Sequence, residues 1–374
     1  MLSSRRARET ARQFAQNSWD TSIQWEINAS MASDLMQQGR YEEVGSLIKG
    51  WGPRLKIDQL YNYHNILGRA AFNSGQVNRA NTHYIRCHEV AKKMGNRRLM
   101  GYSLGNLSTV YWQRGDYKTA LKYGLQDFKI AQENQDAQGL GVASNMVGGL
   151  YLDLEEPQRA IEYYEYQWNL SSKHKIACDQ AISAKLLGYC YRLQPWFEKA
   201  HSWFEKSKKI CTEAQLYYLE YLANYYQALT YCQQKRYQEA HSCLERSREL
   251  LRDTVQTRET MAFRVELAWI RCQVQLDKIS PEEGIEQTEA LFKPYEYAKR
   301  DLKLNRAEAD YEVFFFSGSE LHRKRALKTF QNLFKKRKDG EFKSKAKELE
   351  EKVRRLQGFT VECYPSTWEK SRYR

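Results

Sequence analysis

Seven histidines, eight cysteines and two carboxylate pairs are the residues of this 374-residue chain whose types lend themselves to catalysis or metal binding. Their spacing argues against both. Cys87, Cys178, Cys190, Cys211, Cys232, Cys243, Cys272 and Cys363 form no C-x-x-C pair and fall in no histidine spacing suited to a metal. Free thiols pack as small hydrophobes, so they read as reduced core residues of an intracellular protein. His64, His83, His88, His174, His201, His241 and His322 fall at helical positions, and two of them, His201 and His241, each follow an alanine exactly one long repeat apart. Packing periodicity explains that pair better than metal ligation. Glu155-Glu156 and Glu282-Glu283 lie at turns, where acids that begin a helix are stabilised by its dipole. The chain shows no phosphate loop, no G-x-G-x-x-G, no H-E-x-x-H and no G-x-S-x-G. The expectation is a non-enzymatic protein with no catalytic residues, no metal and no cofactor.

Two other groups of residues suggest binding. Tyrosine is abundant, at 26 residues, in clusters such as Tyr163-Tyr164-Glu165-Tyr166, Tyr217-Tyr218 and Tyr225-Tyr226. Base stacking is one use for such clusters, but most of them fall on helical faces that a stack of helices must bury. The formal charge is +13, and residues 299–374 hold 21 Lys/Arg against 12 Asp/Glu. That basic region suits an acidic surface or a nucleic acid, although Lys343 to Arg355 mixes both signs at spacings proper to an exposed helix. The start of the chain is Arg-rich and acid-poor like an organellar presequence, yet it runs smoothly into a helical pattern from Arg12 to Trp19, which favours a cytoplasmic location. Mean hydropathy is −0.78, and no apolar run approaches the roughly 18 residues of a membrane-spanning helix.

The elements that position these residues follow from an internal ruler. Ala80, Ala120, Ala160, Ala200 and Ala240 recur every 40 residues. Twelve positions before each stands a small residue: Gly68, Ser108, Gly148, Gly188 and Ala228. Ala71, Tyr111, Tyr151, Tyr191 and Tyr231 keep the same step, as do Val77, Tyr117, Pro157, Phe197 and Tyr237. Small residues within both helices of an antiparallel pair let the axes approach, and the aromatic at the end of the first helix is expected to fill the gap they leave. Turns fall at Ser74-Gly75-Gln76, Arg114-Gly115-Asp116, Glu155-Glu156-Pro157, Gln194-Pro195-Trp196 and Gln234-Lys235-Arg236. A weaker copy lies 36 residues upstream (Met31-Ala32, Leu35, Gly39-Arg40-Tyr41, Val44). Another is marked by Leu267-Ala268 and a helix start at Ser280-Pro281-Glu282-Glu283. Ala326, Phe330 and Leu333 mark the second helix of an eighth.

Leu107-Ser-x-x-Tyr111-x-x-x-Gly115-Asp-Tyr117-x-x-Ala120 and Leu187-Gly-x-x-Tyr191, followed by Phe197, Ala200 and Phe204, resemble the tetratricopeptide repeat. The repeat here is of about 40 residues rather than the usual 34. Pins/LGN-type polarity adaptors, the sensor halves of MalT-like regulators and Rap-type peptide receptors share that long variety. The resemblance implies an all-α, right-handed α-solenoid of about 7–8 helical pairs. Its expected divisions are an N-terminal helix (1–24), a superhelix (25–290), a degenerate repeat with a basic capping helix (291–358) and a tail (359–374).

In such an array the first helix of each pair presents one face to a partner, and 3.6-residue geometry around the packing leucine selects the residues on it. They are Asn65, Arg69, Asn73, Asn106, Thr109, Gln113, Asn145, Lys185, Tyr189, Arg192 and Tyr225. Amides can hold the backbone of an extended peptide while Lys and Arg hold its carboxylates. The expectation is an adaptor or scaffold that works within a larger complex and takes an extended, acidic peptide or a partner helix. The alternatives are a Rap-like peptide-sensing receptor and a nucleic-acid-associated subunit acting through the basic C-terminal region. The first of these lacks a legible N-terminal three-helix bundle.

Overall fold

A computed structural model describes residues 20–252, 259–292, 302–337 and 345–350. The readings for the first nineteen residues, for Cys363 and for the tail 359–374 lie outside these. All regular elements among the described residues are helical. They are α1 (Thr21–Gln37), α2 (Tyr41–Leu47), a 3-10 turn (Gly52–Arg54), α3 (Ile57–Asn73), α4 (Val77–Lys93), α5 (Arg97–Gln113), α6 (Tyr117–Glu133), α7 (Ala137–Asp153), α8 (Pro157–His174), α9 (Ala177–Leu193), α10 (Phe197–Glu213), α11 (Tyr217–Gln233), α12 (Tyr237–Arg252), α13 (Glu259–Gln275), α14 (Pro281–Phe292), α15 (Leu302–Ser317) and α16 (Glu320–Arg337), with residues 345–350 also helical. The protein is an all-α solenoid of helix-turn-helix repeats. Its contacts divide it into two compact units between Met146 and Val147.

From α3 to α12 the chain is cut every 20 residues by one residue in the left-handed conformation: Gly75, Gly95, Gly115, Gln135, Glu155, Lys175, Pro195, Gln215 and Lys235. The geometry around them closes each helix in the same way. The N–H of the following residue returns to a carbonyl five residues back, as in Gln76 to Ala71 (2.8 Å), Asp116 to Tyr111 (3.0 Å) and Arg236 to Tyr231 (2.9 Å). This double closure uses up the orphan carbonyls of the helix end. Glycine adopts that backbone without steric cost, whereas a residue with a Cβ is strained there.

The alanine column lies at the heart of the hairpins, with Ala80, Ala120, Ala160, Ala200 and Ala240 all fully buried. The small-residue column works by a different partner than expected. A Cβ on Gly68, Gly148 or Gly188 would come within 2.6, 2.6 or 2.7 Å of the rings of Tyr84, Tyr164 and Phe204, each on the second helix of its pair. The gap is therefore filled from across the hairpin. The aromatics near the end of the first helix meet other rings, Tyr111 tilted against Tyr123 and Tyr151 stacked on Tyr163. Where the small residue grows, its partner shrinks. Ser108 faces the second helix that carries Gly124 and donates to the Ala120 carbonyl (2.8 Å), and Ala228 shares its core with Leu244.

The terminal repeats depart from the ruler for identifiable reasons. The left-handed Gly39 stands 36 residues before Gly75 because α2 stops after seven residues. Downstream, Ser280 and Glu283 form a reciprocal cap at the start of α14, Ser280 Oγ accepting from the Glu283 N–H (3.1 Å) and Glu283 from the Ser280 N–H (2.8 Å). Ala326 and Phe330 of α16 are fully buried with Tyr311, Phe314 and Leu349. Helix 345–350 is held on α15 and α16 by Lys345 paired to Glu308, Tyr311 donating to Glu348 (2.7 Å) and Arg323 donating to the Leu349 carbonyl (3.2 Å).

Three substitutions test this packing and its turns. Gly188→Ala should lower stability by about 2 kcal/mol, because the methyl overpacks against Phe204. In urea unfolding, Gly188→Ala/Phe204→Leu should lose less than the sum of the single variants, since it recreates the Ala228/Leu244 pairing; strict additivity would contradict the assignment. Gln215→Gly, at φ 54°, should raise stability by about 1 kcal/mol by removing the left-handed strain.

Candidate functional site

The first-helix face of the N-terminal unit is an amide surface. Asn106 of α5 donates through Nδ2 to Asn65 Oδ1 of α3 (3.2 Å), so two of the expected residues are joined from one repeat to the next. Arg69, Asn73 and Gln113 are exposed on the same helices, and Asn145 is exposed on α7. Thr109 is different, because its hydroxyl returns to the Gly105 carbonyl of its own helix (3.0 Å). A hydroxyl satisfied by its own backbone has less to offer a ligand.

Beside this face the second helix α6 buries a carboxyl that the residue spacing had not singled out. Asp127 is 4% exposed and packs against Gly101 and Gly105, where a Cβ on Gly105 would lie 2.5 Å from Asp127 Oδ2. Its Oδ1 has no hydrogen-bond partner. Burial, reinforced by the charge of Asp136, raises the Asp127 carboxyl to about 7. Asp136 behaves oppositely. Burial pushes it up, but donation from the Gly139 N–H (3.1 Å), Tyr102 (2.8 Å) and Arg98 (2.9 Å) holds it below the usual carboxylate range. Repeat position 127 is occupied by Cys87, Gln167, Ser207 and Ser247 in the other pairs, and an acid among such residues was the available signal.

The short α2 leaves a cleft of about 580 Å³ against α3 and α4, lined among others by Tyr41, Lys49, Tyr63, Arg79 and His83. His83 and His64 meet through their Nδ1 atoms at 3.2 Å. Burial, with the neighbouring charges of His64 and Arg79, lowers His83 to about 4, so one ring donates and the other accepts while both stay neutral. Only the 36-residue step hinted at this irregularity in the sequence.

In the C-terminal unit three of the expected residues share one face of α9 at positions i, i+4 and i+7. Burial pulls the Lys185 ammonium down to about 8. Among the described residues no carboxylate lies within ion-pair distance of it. Tyr189 meets Tyr226 of α11 edge-on, with ring centroids 5.2 Å apart. The Arg192 guanidinium lies over the Tyr189 ring (5.0 Å); it is 7% exposed, and its Nε finds no acceptor. Tyr225 of α11 holds the repeat position of Lys185, 40 residues on, and is buried with Ala228, Leu244, Val265 and Cys272, while its neighbour Tyr226 makes the contact with Tyr189. Further along, Arg271 grips Glu312 with two bonds (2.8 and 2.6 Å), and Arg264 reaches Glu308 (3.3 Å).

The histidine and cysteine expectations divide. His201 Nε2 meets Gln234 (2.8 Å) and stacks on Tyr231, while His241 Nε2 meets Gln273 (3.0 Å). Both are repeat-packing contacts, and no cluster of three or more metal-ligating side chains occurs among the described residues. Cys87, Cys190, Cys211 and Cys272 are buried free thiols, but Cys178 is exposed and so is no core residue, since its place near the start of α9 leaves it uncovered. No helix among the described residues is long and apolar enough to cross a membrane.

Residues 101–133 match the family model of the tetratricopeptide repeat. The segment is the α5–α6 hairpin, and the other pairs repeat its design, so the chain is an array of tetratricopeptide-like helical pairs. No curated protein matches the sequence. Among solved structures, the apo quorum sensor NprR from B. thuringiensis is similar over 88% of this chain and 93% of its own, at 13% identity and a TM-score of 0.65. The STAND protein with a tetratricopeptide-repeat sensor from Pyrococcus horikoshii is similar over 79% of this chain, which spans 45% of that one, at 18% identity and a TM-score of 0.63. The Rap conjugation gene regulator of plasmid pLS20, in complex with the Phr* peptide, is similar over 90% of this chain and 98% of its own, at 12% identity and a TM-score of 0.55. These likenesses establish the fold.

The buried Asp127 carboxyl gives stability a pH dependence of definite sign. Its folded value, about 7, lies above the ordinary 3.8, so between these values the folded state holds a proton that the unfolded state releases. Stability from this group therefore falls as pH rises from about 4 through 7. Asp127→Asn removes the titration. Its melting temperature relative to the parent should rise between pH 4.5 and pH 8, and a pH-independent difference would refute the buried-acid assignment.

Proposed function

We propose that the chain is a non-enzymatic peptide-binding repeat protein whose first-helix faces take an extended acidic segment of another protein. The observation that carries this reading is the Lys185–Tyr189–Arg192 face of α9. There a desolvated ammonium and a buried guanidinium stand together with no carboxylate partner among the described residues. Two cations brought out of water cost free energy unless an anion offsets them. A peptide carboxylate supplies that anion, and Tyr189 and Tyr226 offer flat apolar surface for the side chain next to it. The N-terminal unit, taken by itself, carries comparable chemistry in the Asn65–Asn106 amide pair and the exposed Arg69. A structural relative that holds a Phr* peptide supports an adaptor or peptide-sensing role for this fold.

The nucleic-acid reading rests on the basic C-terminal region. Several of its described cations are engaged internally: Lys345 with Glu308, Arg325 with Asp310 (3.3 Å) and Arg306 with Glu289 and Asp310. That engagement favours the peptide reading.

A displayed random-peptide library selected on the intact chain should yield binders enriched in Asp and Glu. Lys185→Glu should weaken them at least tenfold and Arg69→Glu by less. Because Lys185 loses its charge around pH 8, affinity should fall between pH 7 and pH 9 and should also fall with added salt. Selected peptides without acidic residues, bound equally by Lys185→Glu, would overturn the reading.

A further inference from the structure

Repeat position 232 is the only one of the 40-residue columns to place cysteine opposite cysteine on successive first helices within the C-terminal unit. Cys232 near the end of α11 and Cys272 near the end of α13 are 40 residues apart in sequence, and their sulfurs are 3.6 Å apart. A disulfide requires about 2.05 Å, so closure needs the two sulfurs to approach each other by about 1.5 Å. The sulfurs already share a hydrogen bond.

The surroundings make the two thiols unequal. Cys272 is fully buried, whereas Cys232 is partly exposed. The hydrogen bond shared with Cys272 favours the Cys232 thiolate, and the nearby Arg271 and Arg192 add to it, against the opposing effects of burial and Glu312. Thiolate character and access are what make a cysteine react with an oxidant. The exposed Cys178 has access, but burial and Asp179 raise its thiol, and its charge state works against reaction.

We propose that Cys232 and Cys272 form an oxidant-responsive dithiol that closes to a disulfide between α11 and α13 when a hydroperoxide reaches Cys232. The Cys232 thiolate attacks one oxygen of hydrogen peroxide. The O–O bond breaks, and the departing hydroxide takes up a proton to leave as water. Cys232 is then a sulfenic acid, oxidised by two electrons. Cys272 attacks the Cys232 sulfur, the S–S bond forms as the S–O bond breaks, and the hydroxide combines with the Cys272 proton as a second water. Two thiols and one peroxide become one disulfide and two waters. Cys272 resolves the sulfenic acid from inside the core, which protects Cys232 from further oxidation to the sulfinic acid. The product staples two first helices beside Arg192. The inference stands on the sulfur geometry and is independent of the peptide reading.

The test uses the full-length chain treated with equimolar hydrogen peroxide, alkylated and mapped without reduction. The expected result is an intact mass lower by about 2 Da before alkylation, two fewer alkyl groups taken up after it, a Cys232–Cys272 cross-linked peptide and full reversal by dithiothreitol. Cys272→Ser should instead leave a sulfenic acid at Cys232 that dimedone traps. Cys232→Ser should slow the first oxidation at least tenfold. Oxidation first at Cys178, or accumulation of sulfinic acid at Cys232 without the cross-link, would overturn the proposal. The mapping of the unsubstituted chain decides the matter even if a serine variant fails to fold.

Discussion

Three of the helical pairs close where a side chain is missing. Gly68, Gly148 and Gly188 leave room that the rings of Tyr84, Tyr164 and Phe204 enter from the opposite helix, so the hairpin crossing is set by contact between a backbone and an aromatic face. The fully buried alanine column forms the second point of close approach. With both points fixed, the outward faces of the first helices have no freedom to rotate. Lys185, Tyr189 and Arg192 share a face because Leu187 and Gly188 are committed to the interior of the hairpin.

Much of this was legible in the residues alone, since a period of 40 in four columns is a direct imprint of packing. The turn positions, the helix start at Ser280 and the burial of Ala326 and Phe330 follow from residue type and spacing. What spacing does not carry is the identity of the partner across a hairpin. The aromatics at positions 111 and 151 looked like the natural fillers, yet the rings at 84, 164 and 204 do that work from the second helix. Nor does spacing tell that Tyr225, at the repeat position of Lys185, is buried with Leu244 and Val265 while the contact with Tyr189 is made by its neighbour Tyr226.

The candidate site was legible in part. Residue chemistry and phase put forward Lys185, Tyr189, Arg192, Asn65 and Asn106, but not that Asn106 donates to Asn65 or what the other side chains lack. The unpartnered Arg192 Nε, the bare Asp127 Oδ1 and the sulfur contact of Cys232 with Cys272 are relations between elements 20 to 40 residues apart, and each depends on atoms within about 4 Å. Local patterns report which face a residue occupies. Complementarity across the face is a property of the folded array.

The left-handed closures carry a further consequence for how such a chain can change length. The turns from Gly75 to Lys235 repeat every 20 residues, whereas the interlocking columns repeat every 40. Gain or loss of a single helix would preserve every turn yet set first helices against first helices, with glycines facing glycines and rings facing rings. Gain or loss of a whole pair would keep both rhythms. The fold thus tolerates growth in even steps, and the short α2, whose preceding turn stands 36 rather than 40 residues before Gly75, is the element that borders the cleft.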